Sequence, residues 1–107
     1  MNDLKRLVYL GSKIKVNVSI PAIDSITMDN YDFEVVLFCY PNKSLLLRKE
    51  ELIRVDESNY VARLDTTLVG EGDLKAKITA YIPDGDFEDR VRTEVIVSLV
   101  NVTIVKP

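Results

Sequence analysis

The acids of Asp84-Gly85-Asp86-Phe87-Glu88-Asp89 are the residues whose spacing comes nearest to a site, because carboxylates at alternate positions in a loop can wrap calcium. The standard calcium loop would need glycine where Asp89 stands and glutamate where Val95 stands. Arg90 and Arg92 would also partly neutralise the loop, so the sequence predicts a solvated turn whose charges discourage strand pairing and no required metal, with a looser calcium loop at Asp84 to Asp89 as the alternative. The lone thiol, Cys39, sits inside the apolar run Val35-Val36-Leu37-Phe38-Cys39-Tyr40. With no histidine in the chain it lacks its usual base and reads as a small buried hydrophobe. The same absence removes nucleophile–histidine triads and histidine metal sites. Gly70-Glu71-Gly72 has neither a third glycine nor a lysine–serine pair for phosphate. Its glycines read instead as positions for backbone angles that other residues resist. Paired-carboxylate hydrolysis needs an aromatic-walled cleft, and the chain has no tryptophan and only short loops. No catalytic residue and no cofactor are expected, and the protein is not expected to be an enzyme.

Those residues must be carried by strands. Lys13 to Ile20 alternates strictly, with Ile14, Val16, Val18 and Ile20 against Lys13, Lys15, Asn17 and Ser19, the period of a strand with one buried face. Pro21 ends it, and Asp24-Ser25 and Asp29-Asn30 supply turn chemistry. Tyr31 to Tyr40 begins in alternation and then becomes apolar on both faces, before a Pro41-Asn42 turn. Ser44 to Val55 is rich in helix formers, but its apolar residues fall in blocks at each end. A short strand, a charged turn at Lys49 to Glu51 and a second strand over Leu52 to Val55 are preferred, with a helix as the alternative. Tyr60-Ala62-Leu64 and Leu74-Ala76-Ile78-Ala80-Ile82 alternate on either side of the Gly-x-Gly loop. After the Pro83-Asp84-Gly85-Asp86 turn comes a long β-branched run, Val91 to Val105, whose pattern shifts phase near Ser98 to Val100. A phase shift of one residue flips the buried face, so a bulge or bend is expected there. The expected core is Ile14, Val16, Val18, Phe33, Val35, Leu37, Leu64, Leu74, Ile78, Val95 and Val97.

One domain over residues 1–107 is expected, long enough to bury a core without staples. A net charge of −3 and a pI near 4.9 argue against nucleic acid as partner. Lys5, Arg6, Lys13 and Lys15 cluster near the N-terminus but read as solvated strand faces. No secretory signal is visible, since Leu7 to Leu10 is too short, and nothing approaches a membrane span.

Seven or eight short strands without a long amphipathic helix form the pattern of an antiparallel β-sandwich. Gly11-Ser12-Lys13-Ile14, Asp32-Phe33-Glu34-Val35, Asn59-Tyr60-Val61-Ala62-Arg63-Leu64-Asp65-Thr66, Gly72-Asp73-Leu74-Lys75 and Ala80-Tyr81-Ile82-Pro83-Asp84 carry a resemblance to immunoglobulin-like domains. The resemblance is to the phage tail and baseplate type, including the N-terminal domain of upper baseplate proteins. It implies an all-β, immunoglobulin-like sandwich and a structural, protein–protein interaction role in a virion or prophage-encoded assembly. The location it implies is the virion, or the cytoplasm before assembly. The cysteine–tryptophan–cysteine pin of antibody domains is missing. Partners would be other protein subunits or a second copy, with no nucleic acid or membrane and no small-molecule ligand expected. A cell-surface adhesion or carbohydrate-binding sandwich is one alternative class. An OB-type nucleic-acid-binding barrel is another, and a helix over Ser44 to Ile53 would favour it. With Phe33, Val35, Leu37 and Cys39 inward, Val36, Phe38 and Tyr40 point outward, and Tyr81 is expected on the same side. These four form the candidate interaction patch, with the chain's own loop or terminal residues as the competing cover.

Overall fold

A computed structural model describes residues 6–39 and 43–107. The Pro41-Asn42 turn, with Tyr40, lies outside the described residues. The strands are β1 (Arg6–Tyr9), β2 (Lys13–Ser19), β3 (Asp32–Phe38), β4 (Ser44–Arg48), β5 (Ile53–Asp56), β6 (Asn59–Asp65), β7 (Gly72–Pro83) and β8 (Val91–Val105). They make a five-stranded sheet, ordered β1-β8-β7-β3-β4, and a three-stranded sheet, ordered β2-β6-β5. All pairs are antiparallel except β1 with β8. Ser44 to Val55 is strand, one 3₁₀ turn at Lys49–Glu51, then strand, and it carries the chain from the large sheet to the small one. A blocked apolar pattern cannot offer a helix one continuous buried stripe, so two sheet edges take it instead.

The inward residues of β2, β3, β6 and β7 make the core, with Ile14, Val16 and Val18 of one sheet facing Phe33, Val35 and Leu37 of the other. Phe33 meets Tyr60 across the layers edge to face, with centroids 5.3 Å apart. Cys39 is fully buried in this core. Asp24 and Ser25 take φ of 51° and 66° in a two-residue turn closed by reciprocal Ile23–Ile26 backbone bonds, a geometry that short polar side chains tolerate. Gly70 and Gly72 adopt φ of 80° and 127°, the angles for which glycine is needed in that loop.

Strand β8 departs from the expected phase. Val95 and Val97 are outward, 55% and 62% exposed, and do not belong to the core. A register shift is present, but it adds two residues: Asp73 pairs with Thr103 and Lys75 with Leu99, with Asn101 at φ 61° between. Two extra residues preserve the phase that one would flip. Ile96, Val102 and Ile104 therefore share the inward side. The pairing with β7 decides this. Ala76, Ile78 and Ala80 face inward opposite Ser98, Ile96 and Glu94. Turning Val95 and Val97 inward would drag Lys77 and its neighbours into the core, and burying unpaired ammonium groups costs far more than exposing valines.

Replacing Phe33 or Ile78 with alanine should lower stability by about 2–5 kcal/mol through cavity formation. Replacing Val97 with alanine should change it by no more than about 0.5 kcal/mol, as expected for an exposed position. Urea unfolding midpoints of the three variants check the phase directly.

Candidate functional site

Val36 and Phe38 do point outward from β3 and are half-buried, whereas Tyr40 lies outside the described residues. Tyr81 shares the face but not the neighbourhood. Phe38 sits opposite Lys75 and Tyr81 opposite Asp32, so the two aromatics stand six β7 residues apart, about 20 Å along the strand. The Tyr81 hydroxyl donates to Glu34 Oε1 at 2.8 Å, a bond that raises its phenol pKa and fixes the ring in a polar hollow near Arg48 and Glu50. The side chain that joins Val36 is Leu46 of β4, directly opposite it and 46% exposed. The expected four-residue patch is thus divided, and its apolar part is Val36, Phe38 and Leu46.

A larger apolar stripe runs along the opposite margin of the same outer face. Val95, Val97 and Leu99 of β8 are more than half exposed, and Leu7 and Tyr9 of β1 continue the stripe at 69% and 62%. Lys75 and Lys77 of β7 separate it from Val36 and Phe38. Because β1 pairs only with Val102 to Val105, no described strand borders the other side of β8 from Val91 to Val100. Sequence reasoning missed this stripe by assigning Val95 and Val97 to the core. Its signal was available: six residues, Val95 to Val100, carry neither charge nor proline.

The acidic loop is engaged internally. Asp84 accepts from Arg92 at 2.7 Å and from the Asp86 backbone at 3.0 Å, and Asp89 accepts from the Val91 backbone. Arg92 also reaches Asp24 and Glu94. Among the described residues no group of three or more potential ligands is placed to hold a metal ion. Burial raises the Cys39 thiol pKa, and its Sγ lies 3.6 Å from the Gly72 carbonyl. Burial also raises Tyr31, to about 12, and its hydroxyl has no partner among the described residues.

Two further arrangements tie or open the gap between the sheets. At one end Asp29 accepts hydrogen bonds from Arg54 Nε and Nη2, at 2.9 and 2.7 Å, and from the Tyr60 hydroxyl at 2.6 Å. Beside it Lys49 Nζ donates to the carbonyls of Met28 and Tyr31, both at 2.8 Å, and lies 5.6 Å from the Phe33 ring centroid. Elsewhere β5 stops after pairing with Asn59 to Val61, and the rest of β6 borders an open groove of about 560 Å³ shared with β4. Its lining includes Leu45, Leu47, Leu64 and Leu68, together with the charged residues Lys13, Lys15, Arg63 and Asp65.

No helix among the described residues is long and apolar enough to cross a membrane. No family model, no curated protein and no solved structure matches the chain.

The Arg54 hydrogen bond, followed by that from Tyr60, holds the Asp29 carboxyl at about 2, below its ordinary 3.8. A carboxyl depressed on folding stabilises the fold above its unfolded pKa and loses that contribution as pH falls through the folded one. The stability advantage of the parent over Asp29→Asn should therefore hold above pH 3.8 and shrink toward pH 2, as read by thermal midpoints across that window. Lys49→Met keeps the aliphatic stem but strips the carbonyls of their donor, and should cost about 1–3 kcal/mol in urea unfolding.

Proposed function

We propose that this chain is a non-enzymatic assembly module of immunoglobulin-like architecture, of the kind that builds phage or prophage tail and baseplate structures. The strand order supports the architecture. The β8-β7-β3-β4 part of the five-stranded sheet, opposite β2-β6-β5, has the order expected of an immunoglobulin sandwich whose G-F-C sheet gains one strand beside C, with β1 added in parallel beside β8. The observation that carries the role is the apolar stripe of Leu7, Tyr9, Val95, Val97 and Leu99 beside the open side of β8.

Long apolar edges are normally blunted by charge, proline or a covering segment, because an open strand recruits another strand. Here Arg92 and Glu94 guard one end only, and the next six residues carry no charge. A protein surface that adds a strand to β8 would satisfy its backbone and cover the stripe together. Lys75 and Lys77 would form part of the polar border around that contact.

Light scattering across a concentration series should show reversible self-association of the parent. Val97→Lys with Leu99→Lys should leave a folded monomer by circular dichroism, since both side chains are outward. A parent that remains monomeric at high concentration would limit the reading to assembly with a different protein. Loss of folding in the double variant would overturn it.

A further inference from the structure

We propose that the groove between β4 and β6 is a binding site for a single-chain amphipathic carboxylate. Two independent observations meet there. One is shape and lining: Leu45 and Leu47 from the large sheet and Leu64 and Leu68 beside the small one line an open groove of about 560 Å³, within the roughly 300–1,000 Å³ typical of small-ligand clefts, and Lys13 and Asp65 line it as well. Leu68 is 46% exposed at the mouth. The opening follows from strand length, because β5 covers only the Asn59 to Val61 end of β6.

The other is charge. Lys15 and Arg63 are directly opposed across β2 and β6, where like charges are destabilising. Neither makes an ion pair or a side-chain hydrogen bond with a described residue. The adjacent pair, Lys13 opposite Asp65, is internally neutral. Lys15 and Arg63 therefore bring uncompensated positive charge to the lining of the apolar groove, in a chain whose net charge is −3. A carboxylate between Lys15 and Arg63 would relieve that repulsion while its alkyl chain lies along the leucines. Chain burial supplies affinity and the cation pair selects an anionic head. A flat bilayer would reach the rim but not the groove floor, so the ligand is the free monomeric acid.

The test is calorimetric titration of the whole chain with decanoate below its micelle concentration, beside decanol and decyltrimethylammonium. Decanoate should bind saturably at one site, with the alcohol about five- to tenfold weaker, the scale of two partly exposed charge contacts. The cationic amphiphile should bind more weakly still. Lys15→Gln with Arg63→Gln should bring decanoate to the level of the alcohol, and Leu68→Glu should remove binding of both, with circular dichroism matching the parent. Rising salt should narrow the difference between acid and alcohol. Equal affinity for acid and alcohol, no binding of decanoate, or binding only to anionic lipid vesicles would each overturn the proposal. None of these readouts involves the β8 edge, so its outcome and that of the assembly role are separable.

Discussion

The ammonium of Lys49 is the contact through which the two sheets are held in one arrangement. It projects from the short turn where the chain leaves the large sheet for the small one, and it collects carbonyls from Met28, Asp29 and Tyr31. Those carbonyls belong to the segment that brings the chain back from the small sheet to the large. Two crossings between layers are thus pinned to one atom, above rings contributed by both layers, Phe33 at 5.6 Å and Tyr60 at 6.0 Å. An ammonium taken partly out of water is costly unless it is fully hydrogen-bonded, and three carbonyls with two ring faces meet that condition. Asp29, on the separate Met28–Asn30 turn, adds an acceptor for Arg54 and Tyr60. With its lone thiol buried and unbridged, the chain closes this end by polar contacts.

Strands with one strongly committed face were legible in the sequence. β2 alternates lysine with valine and isoleucine, and β7 alternates lysine with alanine and isoleucine, so each declares its own inward side. The strand–turn–strand order of Ser44 to Val55 was legible for a related reason, since Lys49-Glu50-Glu51 interrupts the apolar blocks, whereas the change of sheet there was not. β8 was not legible, because a run of valines, leucine and isoleucine offers either face to a core. Its phase comes from β7, whose lysines must stay outside, and a pairing partner is not part of a single strand's pattern. The size of the shift at Asn101 was hidden for the same reason. One extra residue and two leave similar sequence traces and opposite structures.

The candidate sites divide along the same line. Val36 and Phe38 were placed outward by the alternation of β3 alone. Tyr81 was also placed outward, but only the register shows that it stands beside Asp32 rather than Phe38. The groove was invisible, because its walls come from separate strands in two sheets and it exists where β5 stops short. What a sequence withholds here is length and register, not hydrophobicity.

The solvent-facing side of β8 follows from the same competition. If β7 holds Lys75 and Lys77 outward, antiparallel pairing compels Leu99 and Val97 outward opposite them, whatever their own preference. A polar residue at either position would keep the pairing and remove the apolar surface, since neither packs in the core. Folding therefore does not require Val97 or Leu99 to be apolar, nor Leu7 and Tyr9 beside them. Core packing accounts for Ile96, Val102 and Ile104 on the other side of the same strand. Core packing does not account for the apolar character of the outer side, and the proposed contact with another protein surface would use both that side and the open backbone edge.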